Sequence, residues 1–282
     1  MKKVLKWLGI TLLVFLFIGA FVYFKYLSPF LSKMKQTELV QIDKNLTIIT
    51  GGGGNSGIIS SDSLVIVVDT KMDGAATMLY QKVMAIAGNK PILVINTHWH
   101  PDHVNGNKFY KNATIMAGGN YSPEQWTKEV GKETLPTKWL KDTLIIPMDA
   151  DTLTVFNLAK NVHTPSDVMV YMHQHKILFG GDVILNKQAP VLLGEADGDA
   201  YIEVLSTLPQ HFDIKTIVPG HGAISDLSVI ADFKQYFMDM KLAASNPDKE
   251  NELVAKYKDW NQIPIFMSPG ATISFFKKKS KK

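Results

Sequence analysis

The chain has 282 residues, 46% of them hydrophobic, and a formal net charge of +4. This length and composition allow one large hydrophobic core, and we expect a single main domain. The absence of cysteine excludes disulfide scaffolds, thiolate zinc clusters and cysteine nucleophiles, so any transition metal would need histidine and carboxylate ligands.

The N-terminus begins with an apolar segment that predicts a membrane-spanning helix. No charged residue lies between Trp7 and Phe24, and this length matches one bilayer crossing. Lysines flank the segment on both sides: Lys2, Lys3 and Lys6 before it, and Lys25, Lys33 and Lys35 after it. These lysines give only a slight lean towards a cytoplasmic N-terminus, which would place the folded domain outside the cytoplasm. We predict an uncleaved anchor over residues 1–27; the alternative is a cleaved signal peptide, which would make the protein secreted or periplasmic.

The remaining chain divides into a short linker at 28–37, a folded domain at 38–276 and a basic tail at 277–282. Short β-rich runs at 46–49, 57–59 and 64–68 predict consecutive antiparallel strands. Residues 51–55, which begin with four glycines, connect the first two strands. No Gly-Lys-Ser/Thr motif follows them, so we interpret this segment as a flexible hairpin tip and not as a phosphate-binding loop.

Helices and strands alternate along the rest of the domain. Apolar residues at helical spacing predict a helix over 73–88 that packs on a sheet, and the apolar run at 91–95 predicts a strand buried on both faces. Further strands are predicted at 144–146, 153–156, 168–171, 177–179 and 216–218, with a helix near 199–208 and a long or broken helix after about residue 226. This order predicts an α/β (α+β) fold in which two sheets pack face to face with helices outside.

Three of the eight histidines fall within the run His98-Trp99-His100-Pro101-Asp102-His103. Imidazole nitrogen and carboxylate oxygen are the zinc ligands that remain when no thiolate is present. A loop that follows a rigid strand can direct alternating side chains into one pocket. We therefore expect His98 and His100 to share one metal, and Asp102 and His103 to face a second. The alternative is a surface turn that happens to be rich in histidine.

Three more candidate ligands each follow a predicted strand. His163 lies in the loop after 153–156, Asp182 follows the strand at 177–179 and two glycines, and His221 follows the strand at 216–218. The glycines let the backbone approach closely and let the carboxylate project. An isolated histidine is more often a satisfied polar residue than a ligand, but together with residues 98–103 these positions indicate a metal site.

Through these motifs, the sequence resembles the metallo-β-lactamase superfamily over roughly residues 38–225. The resemblance implies a four-layer αββα sandwich. It also implies that His98, His100 and His163 bind a first metal, that Asp102, His103 and His221 bind a second, and that Asp182 bridges them. Asp69 matches a further family position that orients ligands; the alternative for this residue is a turn or helix-cap aspartate.

The sequence around these motifs is similar to that of the cysteine-containing β-lactamases of the superfamily, but it departs from them at the ligands. Asp182 stands where those enzymes carry cysteine, and His103 where they carry arginine. Leu185 replaces the lysine that binds the β-lactam carboxylate, and Lys187 is displaced from that position. The ligands Asp182 and His103 match the general ligand pattern for two metals in the superfamily. Together with Leu185, they argue against assigning the chain specifically as a β-lactamase.

The ligand types and the resemblance together predict a metallo-hydrolase with two divalent metal ions, zinc foremost and iron or manganese as alternatives. A bridging hydroxide would attack an ester, lactone, thioester or amide carbonyl, while Asp102 would orient this nucleophile and shuttle its proton. We expect a small-molecule substrate, membrane contact through the N-terminal helix, and no nucleic-acid partner.

Other functions stay open on the sequence alone. One is a mononuclear iron enzyme that oxidises sulfur, and another is a membrane-tethered protein with a non-catalytic metal site. Seven ligands for two metals favour an open, catalytic site, since a structural site closes with four protein ligands. A thioesterase of the glyoxalase II type is disfavoured, because basic and aromatic helices are not evident after His221. The sequence does not decide which of the loops 51–55, 121–139 and 187–199 closes the pocket.

Overall fold

The computed structural model describes residues 2–29, 32, 36–194, 196–263 and 265–279. The strands that it describes are β1 Thr37–Gln41, β2 Leu46–Gly51, β3 Ser56–Ser60, β4 Val65–Val68, β5 Ile92–Ile95, β6 Thr114–Gly118, β7 Lys138–Leu140, β8 Thr143–Pro147, β9 Thr152–Asn157, β10 Val168–Met172, β11 Ile177–Leu185 and β12 Thr216–His221. The α-helices are α1 Lys2–Val22, α2 Asp73–Ala87, α3 Pro101–Val104, α4 Pro123–Val130, α5 Gly198–His211, α6 Ser228–Ser245, α7 Glu250–Ala255 and α8 Pro269–Lys279.

The strands form two mixed sheets. The first has the order β1-β2-β3-β4-β5-β6-β7, and the second β12-β11-β10-β9-β8. Pairing in the first sheet is antiparallel from β1 to β4 and parallel from β4 to β7. In the second sheet β11 and β12 are parallel and the other pairs are antiparallel. The parallel pairs carry the carboxyl ends of β4 and β5, and of β11 and β12, to the same edge of their sheets.

Three hydrophobic clusters separate the four layers. The apolar face of α2, with Leu79 and Val83, packs on Val65 and Val67 of the first sheet. A second cluster fills the space between the sheets. The third packs α5, α6 and α8 on the outer face of the second sheet. Each fully buried side chain of this size contributes about 1.5–3 kcal/mol of transfer free energy. The αββα sandwich that the sequence predicts is confirmed.

The N-terminal helix continues through a π-helical turn at Tyr23–Leu27. The window Ile10–Leu27 has a mean hydropathy of 2.1, and none of it counts as buried in the domain. A membrane anchor and a signal sequence both match such a helix, so the anchor stays a prediction. Of the expected linker at 28–37, residues 30, 31 and 33–35 lie outside the described residues.

The predicted basic tail is only partly separate from the domain. Lys277 and Lys279 belong to the last turn of α8, where they pair with Glu250 at 2.8 Å and with Asp197 at 2.5 Å. Residues 280–282 of the tail lie outside the described part of the chain.

His175 lies in the turn between β10 and β11 and contacts two further turns at the same end of the sandwich. Its Nδ1 lies 2.5 Å from Asp151 Oδ2, in the turn between β8 and β9. Its Nε2 lies 2.7 Å from Asp43 Oδ2, in the turn between β1 and β2. Burial alone would lower the pKa of His175, but these carboxylates raise it above the usual 6.5. The imidazolium therefore links the two sheets.

We expect His175→Gln to destabilise the protein in a pH-dependent manner. Since the folded pKa is raised, the stabilisation is complete below about pH 6.5, the unfolded value, and is lost as the pH rises through the folded pKa. His175 and Asp43 are partly exposed although Asp151 is buried, so the loss at low pH should be about 1 kcal/mol, or ~2–4 °C in Tm.

Thermal unfolding at about pH 5.5 and about pH 9 measures this effect. The control is His211→Gln, because His211 is an exposed histidine at the end of α5. A difference between His175→Gln and the unmodified chain that stays constant with pH would contradict the proposed link.

Candidate metal centre

The candidate ligands meet at the edge of the sandwich where β5, β11 and β12 end. Residues 98–103 follow β5, with Pro101 starting the short helix α3, as its fixed φ favours. His163 lies between β9 and β10, and His221 is the last residue of β12. Asp182 lies within β11, where the pairing with β12 shifts register after Gly181. All seven predicted ligands are therefore brought to one place.

The first group is formed by His98, His100, His163 and Asp182, which can each offer a ligand atom within 4.8 Å of the others. His163 Nε2 lies 2.9 Å from His100 Nδ1 and 3.5 Å from Asp182 Oδ2. Among the described residues, the buried atom His98 Nε2 has no hydrogen-bond partner, and Asp182 Oδ1 has only ligand histidine nitrogens near it, at 3.2 Å and 3.5 Å. Buried polar atoms almost always have one, so these two atoms fit a site that is completed by a cation.

The second group is formed by Asp102, His103 and His221, with ligand atoms also within 4.8 Å of one another. His221 Nε2 lies 3.1 Å from Asp102 Oδ2 and 3.4 Å from His103 Nε2. Asp182 Oδ1 lies 3.2 Å from His103 Nε2 and 3.5 Å from His221 Nε2. The Asp182 carboxylate thus contacts nitrogen donors of both groups.

The protonation states of the first ligand group and of the two aspartates suit metal binding. Burial lowers the pKa of His98 well below its usual value and that of His163 to about 3, so both imidazoles are neutral at pH 7. Burial alone would raise the pKa of Asp102 and Asp182, but His103 and His221 hold both carboxyl groups well below their usual range. Neutral imidazole and ionised carboxylate are the forms that bind divalent metals. In the second group burial alone would lower the pKa of His103 and His221, but the neighbouring carboxylates raise it, so a metal that binds there would displace protons from these imidazoles.

A set of hydrogen bonds fixes the ring nitrogens that point away from the centre. Asp69 Oδ2 accepts from Thr97 Oγ1 at 2.7 Å and lies 2.7 Å from His103 Nδ1. Thr97 Oγ1 also lies 3.0 Å from His98 Nδ1, and the Tyr201 hydroxyl lies 2.8 Å from His163 Nδ1. Such contacts orient metal ligands. Of the two roles considered for Asp69, the geometry matches ligand orientation.

Residues 51–55 do not form the flexible hairpin tip that the sequence predicts, because residues 52–55 are buried against the ligands. A Cβ atom on Gly54 would lie 2.2 Å from the His103 ring, and one on Gly53 would lie 2.9 Å from the Asp102 carbonyl oxygen. The Asn55 amide donates to Pro219 O at 2.8 Å. The glycines are needed because no side chain fits between this loop and the second ligand group.

The buried residue Lys71 holds the same loop from its other side. Its ammonium donates to Gly51 O at 2.5 Å and to Gly54 O at 2.6 Å, and its side chain is inaccessible to solvent. Burial lowers the pKa of Lys71 to about 7, against the opposing effect of Asp69 and Asp102. We name the glycine segment 51–55 together with Lys71 the clamped loop.

Three residues that support the site were not predicted from the sequence: Lys71, Tyr201 and Asp167. Asp167 accepts from His163 N at 2.8 Å and from Thr164 Oγ1 at 2.7 Å, so it shapes the turn that presents His163. Burial raises its pKa to about 7. The spacing His163-x-x-x-Asp167 is a local turn signal that could have pointed to it. Nothing local distinguishes Tyr201 or Lys71, since their contacts come from distant segments.

A cavity of about 750 Å³ opens beside His221. Of the three loops considered for closing the pocket, 51–55 contributes Gly51, Gly53 and Asn55, and 187–199 contributes Gln188. The segment 121–139 instead packs Tyr121, Trp126 and Trp139 into a separate apolar cluster. Residues 258–262 and the end of the N-terminal helix, neither of which we expected there, supply much of the remaining wall.

The position of the β-lactam-binding lysine is occupied by core structure. Leu185 is the last residue of β11 and is 1% exposed within the cluster that joins the second sheet to its helices. Lys187 follows in a turn with φ of 50°. Lys187 is therefore displaced from the position of Leu185 in space as well as in the sequence.

The sequence profile described as "Metallo-beta-lactamase superfamily" matches residues 49–125, a range that includes His98 to His103. A metallo-beta-lactamase type 2 from Bacteroides fragilis is 26% identical over 210 residues, which cover 72% of this chain and 84% of that protein. These matches support assignment of the chain to the metallo-β-lactamase superfamily. Together with the His/Asp cluster they support a metal-dependent hydrolase.

Proteins named for other activities are also similar to this chain. An acyl-coenzyme A thioesterase from Gallus gallus is 24% identical over 162 residues, covering 48% of this chain and 58% of that protein. The structure of a metallo-beta-lactamase from Pontibacter korlensis matches with a TM-score of 0.63 and 22% identity, over 72% of this chain and 99% of the other. The sec-alkylsulfatase Pisa1 from Pseudomonas sp. matches with a TM-score of 0.65 and 16% identity, over 87% of this chain and 50% of the other. These two structures share the fold.

Proposed function

We propose that the protein is a dinuclear metallo-hydrolase, with zinc as the expected metal, that cleaves an ester, lactone, thioester or amide. The observation that carries this proposal is the position of Asp182, whose two oxygens lie 3.2–3.5 Å from nitrogen donors of both ligand groups. A carboxylate shared in this way suits two cations side by side. His98, His100 and His163 would hold one, Asp102, His103 and His221 the other, and Asp182 both.

A metal pair supplies Lewis acidity and a nucleophile derived from water near neutral pH. The chain's own residues supply position and proton transfer. In the overall reaction the water oxygen bonds to the carbonyl carbon, and the bond from that carbon to its leaving oxygen, sulfur or nitrogen breaks. Asp102, whose side chain is 18% exposed, would accept a water proton and pass it to the leaving group.

The ligand set also favours catalysis over a purely structural site. Seven ligands shared between two metals leave coordination positions for water and substrate, whereas structural zinc sites are closed by four protein ligands. His100, Asp102 and His221 are the partly exposed members, and among the seven ligands only His221 lines the cavity. Substrate would therefore approach from the side of the second ligand group.

The test uses the full-length protein in detergent, treated with a chelator and then reloaded with zinc, iron or manganese. A panel of ester, lactone, thioester and β-lactam substrates measures hydrolysis, and elemental analysis measures metal content. We expect activity to return with two metal equivalents per chain and to be lowest on the β-lactam, since Leu185 offers no cation. Unchanged hydrolysis after metal removal would refute the proposal. One equivalent of iron with oxygen consumption would instead identify a mononuclear sulfur-oxidising enzyme.

A further inference from the structure

The N-terminal helix ends on the folded domain and not in a free tether. Leu27 packs against the hydrophobic cluster that contains Ile263 and Met267. The two residues just before it, Lys25 and Tyr26, line the same cavity as His221. The point at which this apolar helix would leave a bilayer is therefore fixed next to the mouth of the candidate active site.

An apolar turn lies next to the same place. Ile263 and Met267 pair with each other across it, and the residues at its tip, Ile265 and Phe266, are 88% and 49% exposed. Ile265 has a φ of 85°, a region that β-branched residues rarely adopt. The turn directly follows Trp260 and Gln262, which line the cavity opposite the N-terminal helix. A strained turn that displays two large apolar side chains fits an apolar partner.

We propose that this side of the protein rests on a phospholipid bilayer, and that the cavity draws its substrate from that bilayer. The lipid-facing rim comprises Lys25, Tyr26, Lys258, Ile265 and Phe266. The substrate would be an amphiphile whose polar head, carrying the scissile carbonyl, enters the cavity while its acyl chain stays in the lipid. The substrate part of this proposal rests on the proposed hydrolase function, and the membrane contact does not.

The chemistry of the rim matches an anionic membrane surface. Ile265 and Phe266 would enter the acyl region, and Tyr26 has the amphipathic ring that favours the headgroup level. Lys25 and Lys258 are exposed cations, which anionic headgroups attract. The walls carry polar groups among apolar ones, with amides and hydroxyls from Gln36, Thr37, Gln188 and Gln262 and one carboxylate from Glu38. At about 750 Å³ the cavity has room for a headgroup but not for a whole lipid.

The absence of cysteine from the chain permits a direct test of membrane contact. Full-length Ile265→Cys, labelled with an environment-sensitive fluorophore, is placed in vesicles of phosphatidylcholine and phosphatidylglycerol. We expect a blue-shifted emission that is quenched by spin-labelled lipids and shielded from iodide. The matched control is Ile145→Cys, 64% exposed on β8, at the opposite edge of the second sheet from β12. This label should be quenched by iodide and not by the lipids.

Two fluorescence results would overturn the membrane contact. In one, the label at 265 responds to iodide and to lipid quenchers as the label at 145 does. In the other, it is shielded from iodide without quenching by the lipids, which would mean that a protein surface, such as a second copy of the chain, covers the turn.

An activity experiment tests the substrate class separately, with 4-nitrophenyl acetate in solution and 4-nitrophenyl palmitate in the same vesicles. We expect Ile265→Ser with Phe266→Ser to lower hydrolysis of the vesicle ester by about tenfold and to leave the soluble ester unaffected. Ile145→Ser should change neither. Hydrolysis of the soluble ester alone would overturn the membrane substrate and leave the hydrolase standing. Failure with both esters would refute the esterase activity and the membrane substrate together, while the fluorescence still decides the membrane contact.

Discussion

Replacing Asp182 with asparagine should release metal from the protein and lower hydrolysis by more than about 100-fold. Loss of a residue that merely orients a ligand costs about 10–100-fold in metal affinity or activity, and Asp182 contacts both ligand groups directly. Asparagine keeps the volume of the side chain, so steric damage is small, but it removes the anion that compensates two cations. His98→Ala should act in the same direction, since it removes a buried donor atom that has no other partner among the described residues.

The matched control is Asp213→Asn. Asp213 is an exposed aspartate that pairs with Lys176 on the surface, and such pairs contribute about 0–1 kcal/mol. Metal content and hydrolysis, measured side by side, should fall together for Asp182→Asn and stay unchanged for Asp213→Asn. Full hydrolysis by a metal-free Asp182→Asn protein would contradict the assignment of this residue.

Replacing Gly54 with alanine should remove the second metal while leaving the first in place. The added methyl group would lie 2.2 Å from Cε1 of His103, and the ring can move away only by breaking the 2.7 Å contact between its Nδ1 and Asp69. Overpacking of this kind costs about 1–3 kcal/mol of stability. Because His103 must turn away from His221, we expect hydrolysis to fall by about tenfold or more.

Elemental analysis should find one metal equivalent in Gly54→Ala, with a lower Tm. Gly74→Ala is the corresponding control, since a Cβ atom there meets nothing within 4 Å and the residue lies in α2. That variant should gain up to about 1 kcal/mol of stability, because alanine favours helix. Two metals and normal activity in Gly54→Ala would show that His103 is not a ligand.

The part of the fold that surrounds the site was predictable because its signals are local. The run at 91–95 is apolar throughout, and the polar residues that follow it begin where the buried strand β5 ends. Asp182 and His221 likewise follow apolar runs, and parallel pairing of β11 with β12 brings them together. Residue type, spacing and strand position were therefore enough to predict the candidate ligands.

The elements that the sequence did not reveal depend on distant partners. Strand β7 has three residues, and its neighbour β6 ends in glycine, so neither run is long enough to show a period. The exposed strand β1 gains its partner only when Thr37 to Gln41 align with β2. Lys71 shows no local sign of burial, because the carbonyl groups that accept its hydrogen bonds lie in a loop 17 and 20 residues earlier.

The clamped loop limits how this enzyme could change its substrate range. Four consecutive glycines look like a segment where residues could be inserted freely, yet an insertion there would have to displace the Lys71 ammonium and the bond from Asn55 to Pro219. It would also press on Asp102 and His103. Variation in specificity is therefore expected to accumulate on the opposite wall of the cavity, at residues 258–262, where lengthening the chain leaves the ligands in place.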